Sequence, residues 1–320
     1  MPTIDLPLAE LKSYLPPLTR EDDFASFWDE NRRLSAEQPL NPELTPYDHP
    51  AAVSVYKVFY DGFGGGRICG WYLVPKYPMP AQGYPAMIVA HGYSGSKGQP
   101  ADHFAWVLQG FAVLALDTRG QSGEGVDSGT YSFGARPGYL TKGILDKNEY
   151  YYRQVYMDHV RGMDFLHTRP EIDRLRIGAT GGSQGGALAL AMAALDGRFA
   201  AAAADMPALC HFRRTLELSN NVFPLAEIAE FIMRWPDREE QVYRTLSYFD
   251  NMNWAGWITC PVLVSVGLQD VICTPSTIFA AYNRLAGRKE IRVFPYHGHE
   301  GISWHNEEKM RWAKKYILDR

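Results

Sequence analysis

Apolar residues recur along the chain in two rhythms, and their changes mark out the elements. Residues 1–45 read as a helical extension, with Phe24, Phe27, Trp28 and Leu34 at helical spacing. Thr19-Arg20-Glu21-Asp22 just before them has the form of a capping box. Their apolar face suits packing on the main body and a subunit interface equally well. Strict alternation over 53–60, a turn at Asp61-Gly62-Phe63-Gly64-Gly65-Gly66 and a returning run to Val74 predict a β-hairpin. The three glycines precede no helix and no Lys-Ser/Thr, so a turn rather than a phosphate loop is expected.

Beyond residue 86 short continuous apolar runs alternate with helical patterns. Strands are expected at 86–90, 111–116, 175–180, 200–204, 262–266 and 291–294. Helices are expected near 101–109, 149–167, 184–195 and 305–317, with a polar Gly-rich excursion over 117–148. Residues 206–258 form an aromatic-rich helical insertion before the penultimate strand. Such alternation predicts a mostly parallel sheet with helices on both faces, within one α/β domain spanning 1–320. Functional loops then belong at the carboxyl ends of strands.

Composition narrows the function classes. Of 320 residues 46% are hydrophobic and 21% charged, as in ordinary globular proteins, which excludes disorder. The net charge of −4 and the lack of a basic cluster argue against nucleic acid or an anionic membrane as partner. No apolar run is long enough for a spanning helix. Residues 1–5 open without a positive or apolar leader, so no secretory signal is expected. Cys69, Cys210, Cys260 and Cys273 are scattered, which predicts reduced thiols in a cytoplasmic protein rather than disulfides or a zinc site.

The chemistry concentrates in three places. Gly181-Gly182-Ser183-Gln184-Gly185 matches G-x-S-x-G between a predicted strand and an Ala-rich helix. There a nucleophilic serine sits on a tight strand-to-helix turn that needs small neighbours. Asp270 follows the penultimate strand, and Tyr296-His297-Gly298-His299-Glu300 follows the last, in the order Ser, Asp, His that this arrangement uses. Asp205 and Asp250 compete less well for the acid, while His297 and His299 remain equal candidates for the base. Oxyanion amides come from the loop after the first parallel strand and from the residue after the nucleophile, here Tyr93 and Gln184. His91 reads as a loop-bracing histidine, and Asp117 and Arg119 as ion-pairing braces. The aromatics of 206–258 are candidates to close an acyl pocket.

Arg119-Gly120-Gln121, the Ser183 pentapeptide and His299-Glu300, in this order and spacing, resemble the acetyl xylan esterase / cephalosporin C deacetylase family, carbohydrate esterase family 7. The likeness extends to the N-terminal helices, the hairpin, Gly143-Ile144-Leu145-Asp146-Lys147 and Gln269-Asp270-Val271-Ile272-Cys273. Thr274 stands where that family usually has proline. The resemblance implies an α/β-hydrolase fold and a cytoplasmic serine esterase acting on small acetyl esters, with no metal or cofactor. It also implies doughnut-like homohexamers. By position Ser183 is then the nucleophile, Asp270 the acid and His299 rather than His297 the base. Two readings compete: a prolyl-oligopeptidase-like serine peptidase, and a non-catalytic binding protein on a hydrolase fold.

Overall fold

The computed structural model describes residues 4–319; the first three residues of the expected leaderless start lie outside them. One nine-stranded sheet runs in the order β1-β2-β3-β5-β4-β6-β7-β8-β9. Its strands are β1 (Glu43–Tyr47), β2 (Val53–Asp61), β3 (Arg67–Pro75), β4 (Tyr84–Ala90), β5 (Ala112–Leu116), β6 (Ile172–Gly182), β7 (Ala201–Asp205), β8 (Val262–Gly267) and β9 (Lys289–Phe294). The first three strands and the β3–β5 pair are antiparallel, and every pair from β5 to β9 is parallel. This is the expected mostly parallel α/β-hydrolase sheet. Its central strands are buried on both faces, which is why Ala112–Leu116 and Val262–Gly267 read as unbroken apolar runs.

Among the described residues eleven α-helices flank the sheet or fill the insertion: α1 (Leu8–Leu11), α2 (Phe24–Glu37), α3 (Phe104–Leu108), α4 (Tyr151–His167), α5 (Gln184–Leu195), α6 (Phe212–Ser219), α7 (Ala226–Arg234), α8 (Glu239–Ser247), α9 (Asn251–Trp254), α10 (Pro275–Tyr282) and α11 (Ser303–Ala313). All twelve residues of α5 are buried. The helix is apolar all round because it lies between the sheet and other helices. The apolar face of α2 is occupied within the chain: Phe27 lies 5.0 Å from the Tyr248 ring, and Trp28 5.1 Å from Trp254.

Three local expectations change. The capping box does not form: α2 starts at Phe24, while Thr19 instead exchanges hydrogen bonds with the Asn253 side chain. The helix expected over 101–109 splits into a 3₁₀ turn, Pro100–His103, and a short α3. The N-terminal extension also ends in β1, an exposed edge strand whose Pro46 lies opposite Tyr56. Among the described residues the cysteines form no disulfide, and no helix is long and apolar enough to cross a membrane.

Candidate active site

Ser183 sits at the junction of β6 and α5 with φ 56° and ψ −120°, a conformation that costs a non-glycine residue about 1–3 kcal/mol. Neighbouring backbone holds it there. Its N–H donates to Asp205 O (2.9 Å), and its carbonyl accepts from Ala187 N (3.0 Å) and Ala208 N (3.1 Å). The flanking glycines answer to crowding. A Cβ on Gly181 would lie 2.5 Å from Ala90 O, and one on Gly185 would overlap that same oxygen. The carboxyl end of β4 can approach the turn only because both positions lack side chains.

Asp270 and His299 lie in the loops after β8 and β9, and the fold brings both to Ser183. Asp270 is fully buried; its Oδ1 accepts from Ile272 N (2.8 Å) and Cys273 N (2.9 Å). Its Oδ2 faces His299 Nδ1 at 2.8 Å. An ionised carboxylate only accepts, so Nδ1 carries the proton and Nε2 is left as an acceptor. Ser183 Oγ lies 2.9 Å from that Nε2 and donates to it. Of the two histidines the sequence left open, His299 is the one that faces both Asp270 and Ser183. The His297 ring packs on Phe294, 5.7 Å between centroids, and its carbonyl accepts from Gln269 N.

The rival carboxylates are occupied elsewhere. Asp205 pairs with Lys309 and His305 Nε2 (2.9 Å); burial raises its pKa, but these partners, Lys309 foremost, bring it down to about 2. Asp250 accepts from His211 N, Phe212 N and Met252 N, and burial pushes its pKa up to about 6.

Tyr93 and Gln184 both line the pocket at Ser183. The Gln184 side chain points away into a buried network. Its Oε1 accepts from Tyr152 OH (2.8 Å) and Gln121 Nε2 (2.9 Å), while Gln121 Oε1 accepts from Ser94 N (2.9 Å). Gln121 thus ties the loop after β4 to the serine turn, a physical reason for the Arg119-Gly120-Gln121 motif. Arg119 is wholly buried and grips both oxygens of Asp158, each at 2.6 Å. Asp117 accepts from Lys97 Nζ and two backbone amides. His91 Nε2 accepts from Thr118 N (2.9 Å), and Nδ1 faces Gly92 O. All three act as braces.

Donor atoms of Asp270, Cys273 and His299 lie within 4.8 Å of one another, a spacing that could hold a metal ion. Both histidine nitrogens and both carboxylate oxygens are already engaged in the hydrogen bonds just described, so this donor set fits a proton relay better than a cation.

A narrow pocket, with a cavity volume of about 30 Å³, opens beside Ser183. Tyr152, Leu209, Cys210, Leu225, Cys273 and Thr277 wall it. The aromatics of 206–258 do not. Phe231 and Trp235 pack on each other and on Phe133, and Tyr248, Phe249 and Trp254 pack on α2. The aromatic walls come instead from Tyr93 and Tyr152. Tyr152 was concealed in the sequence within the ordinary apolar pattern of α4. Thr274 keeps φ at −61°, the value a proline would impose, so its departure from the family pattern leaves the loop in a proline-like shape.

The model of the acetyl xylan esterase (AXE1) family matches residues 1–316. Acetyl esterase Axe7A of Xylanibacter ruminicola is 30% identical over 312 residues, covering 95% of this chain and 69% of that protein. The solved acetyl xylan esterase from Paenibacillus sp. R4 has a TM-score of 0.95 at 46% identity, covering 98% of this chain and 100% of that one. Acetyl xylan esterase 1 from Thermoanaerobacterium sp. JW/SL YS485 has a TM-score of 0.93 at 31% identity, covering 98% and 99%. Agreement that runs the length of the chain, in sequence and in backbone alike, makes this protein a member of the acetyl xylan esterase (AXE1) family and a carboxylic ester hydrolase.

Proposed function

We propose that this enzyme deacetylates small acetylated substrates, acetylated xylo-oligosaccharides foremost, through an acetyl-enzyme on Ser183. The observation that carries the reading is the unbroken relay from Ser183 Oγ through His299 to buried Asp270, at 2.9 and 2.8 Å. His299 Nε2 takes the serine proton as Oγ attacks the acetyl carbonyl, then returns it to the departing sugar alcohol. Asp270 fixes the histidine tautomer and steadies the imidazolium. The backbone amides of Tyr93 and Gln184 hold the oxyanion, each worth on the order of 10²–10³ in rate. Water then attacks the acetyl-enzyme by the same proton path in reverse.

The pocket supports an acetyl preference, because its walls confine a longer acyl chain by contact. Clash discriminates more strongly than a missing methylene, worth about 1–3 kcal/mol. Cephalosporin C, itself an acetyl ester, is a second expected substrate on the family resemblance. That resemblance also leads us to expect a cytoplasmic homohexamer, each chain a single domain with residues 1–45 as extension and 206–258 as insertion. A monomer at micromolar concentration in light scattering would contradict the assembly.

The test is hydrolysis of 4-nitrophenyl acetate, butyrate and octanoate by wild type and Ser183→Ala in parallel. Acetate should lead, and the variant should lose about 10⁶ in kcat. Unchanged activity in the variant, or octanoate preferred, would overturn the nucleophile or the acetyl pocket respectively.

A further inference from the structure

Helix α7 carries an acid where its apolar face should continue. Glu227 stands four residues before Phe231, on the same side of the helix, and only 5% of it is exposed. Its neighbour Glu230 meets Arg136 at the surface, but no Lys or Arg pairs with Glu227 among the described residues. Burial pushes its carboxyl up from the ordinary carboxylate range.

What meets it instead is a ring of donors from two other segments. Tyr93 OH donates to Oε1 (2.6 Å), Leu140 N donates to Oε2 (3.0 Å), and Tyr139 N donates to the Tyr93 hydroxyl (2.6 Å). Gly138, at φ +118°, makes the room: a Cβ there would overlap the carboxylate itself. The three segments joined in this way are the loop after β4, the excursion over 117–148 and helix α7 of the insertion. The first two reach the Ser183 pocket through Tyr93 and Leu140, and Leu225, the residue just before α7, lines it as well.

We propose that Glu227 is a positioning residue that holds the Tyr93 loop at the height where its backbone amide meets the oxyanion, locking the roof of the acetyl pocket to the catalytic turn. The idea rests on the preceding assignment of Tyr93 as an oxyanion donor. A carboxylate suits the place because it only accepts, and both of its edges face donors. Glutamine would turn one edge into a donor, leaving a buried N–H or O–H opposed. Removing the Tyr93 hydroxyl would break the same tie from the other end while keeping the backbone amide.

The experiment compares Glu227→Gln, Tyr93→Phe and the double variant, with kcat and KM for 4-nitrophenyl acetate and thermal midpoints for all. Loss of transition-state contact predicts a fall in kcat of about tenfold with KM little changed. The double variant should fall no further than either single one, because both changes cut one tie. A folded Glu227→Gln enzyme with wild-type kcat, or a double variant whose losses multiply, would overturn the proposal. If Glu227→Gln fails to fold, Tyr93→Phe decides alone: a kcat drop at constant KM supports the proposal, and wild-type kcat rejects it. Ser183→Ala run alongside separates the two readings. Activity persisting there defeats the esterase mechanism itself, whereas activity lost there but kept in Glu227→Gln defeats only the positioning role.

Discussion

Replacing Asp270 by asparagine should disable the enzyme without disturbing its fold, and the geometry says by how much. Asp270 Oδ1 accepts two backbone amides, Ile272 N and Cys273 N, and Oδ2 accepts His299 Nδ1–H. An asparagine can keep its oxygen on only one of these sides. Turning its NH₂ toward the two amides would strand both donors in a buried site, at about 1–3 kcal/mol each. The oxygen therefore stays with the amides, and the NH₂ faces His299. Nδ1 must then become the acceptor, and the ring proton moves to Nε2, where it points at Ser183 Oγ. A protonated Nε2 cannot take the serine proton. The expected loss is about 10⁴ in kcat, or about 5 kcal/mol of transition-state stabilisation. KM for 4-nitrophenyl acetate should change little, because Asp270 does not line the pocket. Steady-state kinetics at neutral pH, with matched thermal midpoints, provide the assay. A folded Asp270→Asn enzyme within tenfold of wild-type kcat would refute the tautomer argument.

Two further predictions concern stability. Arg119→Met strands the buried Asp158 carboxylate that both guanidinium contacts now serve, and should lower the unfolding free energy by about 3–5 kcal/mol in urea titrations. A change under 1 kcal/mol would show that the pair is dispensable. His159 is fully buried, and burial lowers its pKa from 6.5 to about 4. The unfolded chain therefore takes up a proton below pH 6.5 that the folded chain refuses until about pH 4. The stability this histidine contributes is complete above 6.5 and is lost as pH falls through that window. At 1.36 kcal/mol per pH unit the loss reaches about 3 kcal/mol. His159→Leu should flatten the slope of stability against pH between 6.5 and 4, and an unaltered slope would count against a neutral buried histidine.

Much of this architecture was legible because the central strands are short apolar runs and the chemistry sits in loops directly after them. The tight turn at Ser183 announces itself through Gly181 and Gly185, which no side chain could replace against Ala90 O. Other features leave weaker traces. Strand β1 is mostly exposed and carries Pro46, so it lacks the alternation that reveals β2. An edge strand tolerates both, having a free side for its backbone. Thr19 looked like a cap because its spacing to Asp22 is right, but its hydroxyl is claimed by Asn253, which lies more than two hundred residues away in the chain. His297 and His299 differ by one loop turn, and only the folded loop says which faces Asp270. Glu227 did leave a sign, an acid in register with Phe231 on an amphipathic helix, yet such a residue gains meaning only with its partners in view. The aromatics of 206–258 misled for a related reason. Aromatic content marks packing as readily as it marks a pocket, and here most of them pack on α2 or around Phe133.

The central claim is that acetyl passes through Ser183, and rapid quenching tests it most directly. Wild-type enzyme mixed with 4-nitrophenyl acetate, quenched in acid within the first turnovers and peptide-mapped by mass spectrometry, should carry one acetyl group on the peptide containing Ser183. Ser183→Ala should carry none. Acetyl found instead on the neighbouring Cys273, or full turnover by the Ser183→Ala enzyme, would contradict the account.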